Sequence, residues 1–251
     1  MAEPLLRVDD LAIAFGGLRA IDGVSLALPH GTLAALIGPN GAGKTTFINL
    51  ITGRLAPSAG RILLAGTDIT ALSQATRVRR GLGRTFQINT LFRGLSVLEN
   101  VALAIAEHDG HGGDMLRPLG ARRAVLERSY ALLDRLRIAG DALVPVQQLP
   151  YGKQRLVEIA IALGLQPTVL LLDEPAAGVP SAESAIILEV IEQLPPDIAV
   201  LIIEHDMELV FRFARRITVL VQGSVLVEGT PAEVAADPRV REVYLGEGRH
   251  G

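Results

Sequence analysis

Apolar and polar positions change period along this chain, and the changes divide it into three stretches. Leu6-Arg-Val-Asp-Asp-Leu-Ala-Ile-Ala-Phe15 and Val24-Ser-Leu-Ala-Leu28 alternate loosely, as strands with one buried face do. Gly16-Gly17 and Asp22-Gly23 read as turns between them. Leu33-Ala-Ala-Leu-Ile37 is apolar throughout, the pattern of a strand covered on both faces. A helix is expected over Lys44–Thr52 and a short strand over Gly60–Gly66. Between residues 91 and 165 the period lengthens. Val97–Glu107 and Ala121–Ile138 carry helical spacing, the second with a stripe of Val125, Leu126, Leu132, Leu133 and Leu136. Strand and helix then alternate over Val169–Leu172, Ala182–Gln193, Ile198–Ile203, Asp206–Ala214 and Ile217–Val221. The pattern predicts an α/β fold: a mostly parallel sheet with crossover helices, interrupted by a helical insertion too long for an ordinary loop. One chain-long domain is expected, with residues 1–90 and 166–251 in a core lobe and 91–165 in the inserted lobe.

Two segments add chemistry to this frame. Gly38-Pro-Asn-Gly-Ala-Gly-Lys-Thr-Thr46 lies between a buried strand and a helix and fits the phosphate-loop pattern. Its glycines let successive N–H groups of Gly38, Pro39, Asn40, Gly41, Ala42 and Gly43 (proline excepted) curl around an anion, and the helix N-terminus adds partial positive charge. Lys44 is suited to the β- and γ-phosphates, the Thr45 hydroxyl to Mg²⁺, and Thr46 to an α-phosphate oxygen. The second segment, Val169-Leu-Leu-Leu-Asp-Glu174, is a buried strand with two carboxylates at its C-terminal end, where α/β sheets bind ligands. Asp173 suits the metal's outer shell, and Glu174 suits a general base or water-polarising group.

Composition narrows the classes. With 251 residues, 49% of them apolar, there is room for one substantial domain with an inserted lobe. A net charge of −3 supplies no basic field, so nucleic acid is not an expected partner. The absence of cysteine excludes a disulfide scaffold, a zinc–thiolate site and a thiol nucleophile. No apolar run approaches the roughly 20 residues of a membrane helix, and Met1–Arg7 does not read as a signal peptide. The expected location is the cytoplasm, with any membrane role peripheral. His108, Asp109, His111 and Asp114 sit among glycines and read as a solvated loop, without a metal. Arg77, Arg79, Arg80 and Arg84 form a basic cluster without interleaved aromatics, expected to be a solvated face or a protein contact.

In this order along the chain, these features resemble the ATP-binding subunits of ABC transporters. The resemblance implies a P-loop NTPase (RecA-like) fold, whose mostly parallel core carries an antiparallel β portion and an α-helical lobe bearing the signature segment. It implies ATP and Mg²⁺ as cofactors. Phe15 is similar to the aromatic that stacks on adenine, and Val24 is expected among the cofactor-binding residues. Gln87, in Arg84-Thr-Phe-Gln87, is similar to the glutamine that joins the lobes and touches Mg²⁺ and the attacking water. Leu149-Pro-Tyr-Gly-Lys-Gln154 occupies the signature position, with Gly152, Lys153 and Gln154 facing a partner's phosphate. Ala177-Gly-Val-Pro180 resembles the dimer-contact loop and His205 the switch histidine at the γ-phosphate.

Within that family, Arg84-Thr-Phe-Gln, the Pro-Tyr-Gly signature, Glu174-Pro-Ala-Ala-Gly178 and Val243-Tyr-Leu-Gly246 most resemble the ATPase of branched-chain amino-acid importers. The implied partners are polytopic permease subunits, a second and different ATPase, and indirectly a solute-binding protein. The expected location is then the cytoplasmic face of the cell membrane. Lipopolysaccharide-exporter ATPases share two of these segments and are the closest alternative; a soluble ABC ATPase is the other. The signature departs from the usual Leu-Ser-Gly-Gly-Gln at Pro150 and Tyr151, which removes a serine hydroxyl; Lys153 offers a charge in its place. Ala177 and Pro180 replace a common serine and aspartate in the dimer-contact loop.

Overall fold

The computed structural model describes residues 3–85, 91–111, 120 and 122–246. Two sheets enclose one helix. The first has the order β2-β1-β4-β5, all antiparallel: β1 (Leu6–Phe15), β2 (Leu18–Leu28), β4 (Ala59–Leu64) and β5 (Thr67–Asp68). The second contains β3 (Leu33–Ile37), β6 (Leu82–Arg84), β7 (Val169–Asp173), β8 (Ala199–Ile203), β9 (Arg216–Val221) and β10 (Ser224–Gly229), ordered β10-β9-β3-β8-β7-β6. All its pairs are parallel except the β9–β10 hairpin. The expected α/β class is therefore what forms, with its antiparallel portion as a separate sheet.

Every residue of β3, β7 and β8 is buried, as their unbroken apolar runs require. The period-two alternation of side chains then splits each strand between two cores. Val169 and Leu171 join Leu36, Leu201 and Ile203 in packing against Phe47, Ile48, Leu50 and Ile51 of α1 (Lys44–Thr52), which lies between the sheets. Leu170, Leu172, Val200 and Ile202 face the other way. They share a continuous apolar cluster with the helices α3 (Val97–His108), α4 (Arg123–Arg135), α5 (Tyr151–Gly164) and α6 (Ser181–Glu192). The α4 stripe behaves as its spacing predicts: Val125, Leu133 and Leu136 are buried, with Leu126 and Leu132 partly so. Ser96 caps α3 through a reciprocal bond set with Glu99, stopping the chain's extended approach at a defined residue. The remaining helices are α2 (Gln74–Arg79), α7 (Met207–Phe213), α8 (Pro231–Ala236) and α9 (Pro238–Gly246).

Two expectations fail here, one of them in part. Asp22-Gly23 is not a turn between strands but lies inside β2, at an irregularity where the β1 pairing jumps from Leu11–Val24 to Ile13–Ile21. The Asp22 N–H donates to Gly223 O at 2.9 Å, which ties this bulge to the β9–β10 turn. The arginine cluster is only half a solvated face. Arg77 is 2% exposed and donates to the carbonyls of Leu50, Thr70 and Leu72, the first belonging to the last turn of α1. A cation there satisfies orphan carbonyls and the negative helix end together. Arg79 and Arg80 are exposed, but Arg84 is drawn inside.

Candidate functional site

The parallel register decides what meets at the site. Leu36 of β3 pairs with Ile203 of β8, which pairs with Asp173 of β7, so three strands end level and side by side. The residues emerging from those ends are Gly38–Thr46, His205 with Glu204 before it, and Glu174. A cleft of ≈ 730 Å³ opens there, lined by Asn40–Thr46, Glu174, Phe15, Leu18–Ala20, Gln222 and Gly223.

The loop before α1 accepts no other residue at its crucial glycines. Gly43 sits at φ 104, and a Cβ on it would come within 2.6 Å of Ala20 O; a Cβ on Gly38 would strike Leu220 O. Gly43, as the N-cap of α1, has no side chain to close the helix end. The α1 N-terminus is left facing the cleft as a cradle of backbone donors with no acidic residue in its first turn. Lys44 Nζ donates to Gly38 O and, at 3.0 Å, to Pro39 O, which folds the ammonium over the loop. This arrangement fits the phosphates of a nucleotide.

Phe15 is 48% exposed on the cleft wall. Val24 does not line it: it is fully buried in the core between the sheets, on the same face of β2 as Leu26 and Leu28. Leu18, Arg19 and Ala20 line the cleft in its stead. Asp173 is 3% exposed and accepts from Arg84 Nη2 at 2.8 Å, while Arg84 Nη1 reaches Asn49 Oδ1 of α1 at 2.9 Å. Glu174 turns out of β7 at φ 49, with its N–H donated to Ile203 O at 2.9 Å. Its Oε1 lies 3.7 Å from His205 Nδ1. Gln87 lies outside the described residues.

The signature residues are elsewhere. Gly152 and Lys153 border a second groove, beside Glu183, Arg137 and Ile186, and none of them lines the phosphate-loop cleft. Gln154 does not offer itself to a phosphate: its N–H donates to Pro150 O and its buried amide to Leu149 O. Lys153 is paired with Asp141 at 2.6 Å, so its charge is already partnered. Tyr151 lies under the Arg155 guanidinium, 5.0 Å from ring centroid to Cζ, and its ring stands beside Gly178 of the loop after β7, where an added Cβ would meet Cε1 at 3.4 Å. The signature therefore belongs to a different surface from the chain's own phosphate loop.

Residues 21–177 match the family described as ABC transporter. The chain belongs to that family. It is an ATP-binding and ATP-hydrolysing subunit of an ABC transporter. Residues 224–250 match a second family, described as branched-chain amino acid ATP-binding cassette transporter. The high-affinity branched-chain amino acid transport ATP-binding protein LivG of Escherichia coli K12 is 41% identical over 98% of this chain and 100% of its own length. BraF of Pseudomonas aeruginosa, of the same description, is 37% identical over the same shares. Among solved structures, the ADP conformation of an ATP-binding cassette of an ABC transporter superposes with a TM-score of 0.85 and 31% identity, covering 98% of this chain and all of that one. A nucleotide-free cassette gives 0.82 and 30%, covering 96% and 98%. This ABC subunit has no described helix long and apolar enough to cross a membrane.

Sequence pattern assigns no site role to Arg84, Asn49 or Glu204. Arg84 reads there as part of a basic cluster; Glu204 carries a signal, a carboxylate directly after a five-residue buried strand. Gln222 and Gly223 reach the cleft only because the β9–β10 turn folds back onto β2.

Proposed function

We propose that this chain is the ATPase of an importer for branched-chain or related amino acids. The observation that carries the reading is the separation of the phosphate-loop cleft from the signature helix in one subunit. A cleft with Lys44, Thr45 and Glu174 but no signature residue is completed by a second subunit. The cargo is supported by the residue 224–250 match and by the full-length likeness to LivG and BraF.

In this reading the α1 N-terminus, Lys44 and Thr46 bind the phosphates, and Phe15 covers adenine. Thr45 and Gln87 would hold Mg²⁺, with Asp173 in its outer shell, and the ion would neutralise charge on the phosphate oxygens. Glu174 takes the proton of the water that attacks the γ-phosphorus, and ADP leaves as the bridging bond breaks. His205 orients Glu174 and meets the γ-phosphate. Residues 1–90 and 166–251 act as the core lobe, with 91–165 as the lobe that passes motion to permease subunits near residues 87–98. A second ATPase, the permease pair and an external solute-binding protein complete the assembly on the cytoplasmic face of the membrane.

The test is reconstitution with the permease subunits and partner ATPase. ATP-driven uptake of leucine, isoleucine or valine into proteoliposomes supports the reading. Uptake of none of these, with another solute carried instead, removes the cargo assignment.

A further inference from the structure

Glu204 is a carboxyl that no step above uses. It directly follows β8 and is 2% exposed. Its Oε1 accepts the Ala176 N–H at 3.0 Å, and its Oε2 accepts the His205 N–H at 3.3 Å. Oε2 also lies 3.9 Å from His205 Nδ1. Burial pushes its pKa above the ordinary carboxylate range, against the hydrogen bond from Ala176 and the nearby His205. A buried carboxyl is costly unless its oxygens are occupied by donors. The donors held here belong to the two segments that flank Glu174.

The loop after β7 needs such a fastening. Glu174 leaves the strand at positive φ, so regular pairing with β8 stops there. Two hydrogen bonds then tie the loop to the end of β8: Glu174 N–H to Ile203 O, and Ala176 N–H to Glu204 Oε1. Beyond Ala176 the loop reaches Gly178, which faces Tyr151 at the start of α5 with room for no more than a methyl between them.

We propose that Glu204 is a positioning residue, clamping the loop that follows Glu174 to the strand end that carries His205. The clamp sets the aim of the Glu174 carboxylate and holds Gly178 against Tyr151. This deepens the proposed ATPase mechanism and rests on Glu174 being its water-activating carboxylate. Releasing the Ala176 N–H frees the loop without touching the phosphate loop, so turnover is affected and nucleotide binding is not.

The experiment compares the wild type with Glu204→Ala, Glu204→Gln and Glu204→Asp, reading kcat, equilibrium ATP affinity and melting temperature. Glu204→Ala is expected to lower kcat about 10–100-fold, the cost of a misplacement near 1 Å, with ATP affinity unchanged. Glu204→Gln keeps an oxygen for the Ala176 N–H and is expected to retain most turnover. Unchanged kcat in the Ala variant overturns the proposal, as does a parallel fall of kcat, ATP affinity and melting temperature that Gln fails to rescue. Should the Ala variant not fold, Asp and Gln decide: the shorter Asp must lose turnover where Gln keeps it, and equal rates overturn the clamp. Glu174→Gln is run alongside. If it hydrolyses like the wild type, the reading of Glu174 fails, whatever Glu204 does.

Discussion

Arg84 Nη2 donates to Asp173 Oδ2 at 2.8 Å inside the protein, where the two side chains are 6% and 2% exposed. The same guanidinium holds Asn49 of α1, so one cation joins β6, β7 and the helix that follows the phosphate loop. Arg84→Ala leaves Asp173 buried without its cation, a change that costs about 3–5 kcal/mol in comparable pairs. Chemical denaturation should show that loss, and the midpoint should fall without a change in slope. Arg84→Lys keeps charge but cannot reach both partners with a rigid fork, and an intermediate midpoint is expected. A midpoint equal to the wild type in the Ala variant would mean the pair contributes nothing.

Glu174→Gln should bind ATP and lose at least about 100-fold in turnover, the upper part of what a general base supplies being larger still. Its backbone role at the β7 end, the N–H to Ile203 O, survives the substitution. Nucleotide affinity and kcat, measured on the same preparation, separate binding from chemistry. Hydrolysis near the wild-type rate would exclude Glu174 as the carboxylate.

Arg155 and Glu158 form a second buried pair on α5, at 2.8 Å with 9% and 6% side-chain exposure. Arg155 Nε and Glu158 Oε1 have no hydrogen-bond partner, so the pair is incompletely satisfied. Replacing both with Met and Leu is expected to be neutral or stabilising by up to about 4 kcal/mol, whereas Glu158→Ala alone should cost about 3–5 kcal/mol. Burial raises the Glu158 pKa above its ordinary 4.5. Its contribution is therefore most favourable below that value and is lost as pH rises through the elevated pKa. Melting temperatures across that window should show the wild type falling behind the double variant as pH increases. A constant difference would contradict the assignment.

Gly43→Ala should abolish ATP binding, because its Cβ would meet Ala20 O at 2.6 Å and its φ of 104 is left-handed. The strain alone is roughly 1–3 kcal/mol, and relief requires moving the loop that cradles phosphate. Equilibrium nucleotide binding checks this; wild-type affinity would remove the loop from the site.

Pro150 begins α5 without a side-chain cap. At ψ 151 it already has the extended geometry of an N-cap, so Pro150→Ser can place a hydroxyl at the helix start. The cap gain of about 0.5–2 kcal/mol is offset by roughly 0.4–1 kcal/mol from the freer unfolded chain, leaving the melting temperature little changed. ATPase activity of the isolated subunit should rise, by up to about tenfold if the hydroxyl reaches a charged phosphate in a partner's site. No rise would show that the serine's absence does not limit turnover. The wild-type subunit is expected to turn over slowly alone and faster with its partner ATPase and permeases.

Local pattern was enough to specify much of this protein. The apolar runs of β3, β7 and β8 require burial on both faces, and Gly38–Thr46 needs glycine wherever the backbone must bend around an anion. Those demands act within a few residues, so they are visible in order along the chain. The Asp22-Gly23 irregularity had no such local answer: it depends on pairing with β1, and it puts Ile21 rather than Asp22 on the core face, out of step with Val24, Leu26 and Leu28. The fate of the arginines was equally non-local. Arg77 and Arg79 sit two residues apart with the same charge, yet one is buried because the end of α1 presents carbonyls to it and the other is exposed. Arg84 finds Asp173 across 89 positions because parallel pairing sets β6 beside β7. Glu204 holds Ala176 only after β7 and β8 end level. Strand order and register, which arise from packing distant segments together, decided which charges are paired and which face a ligand.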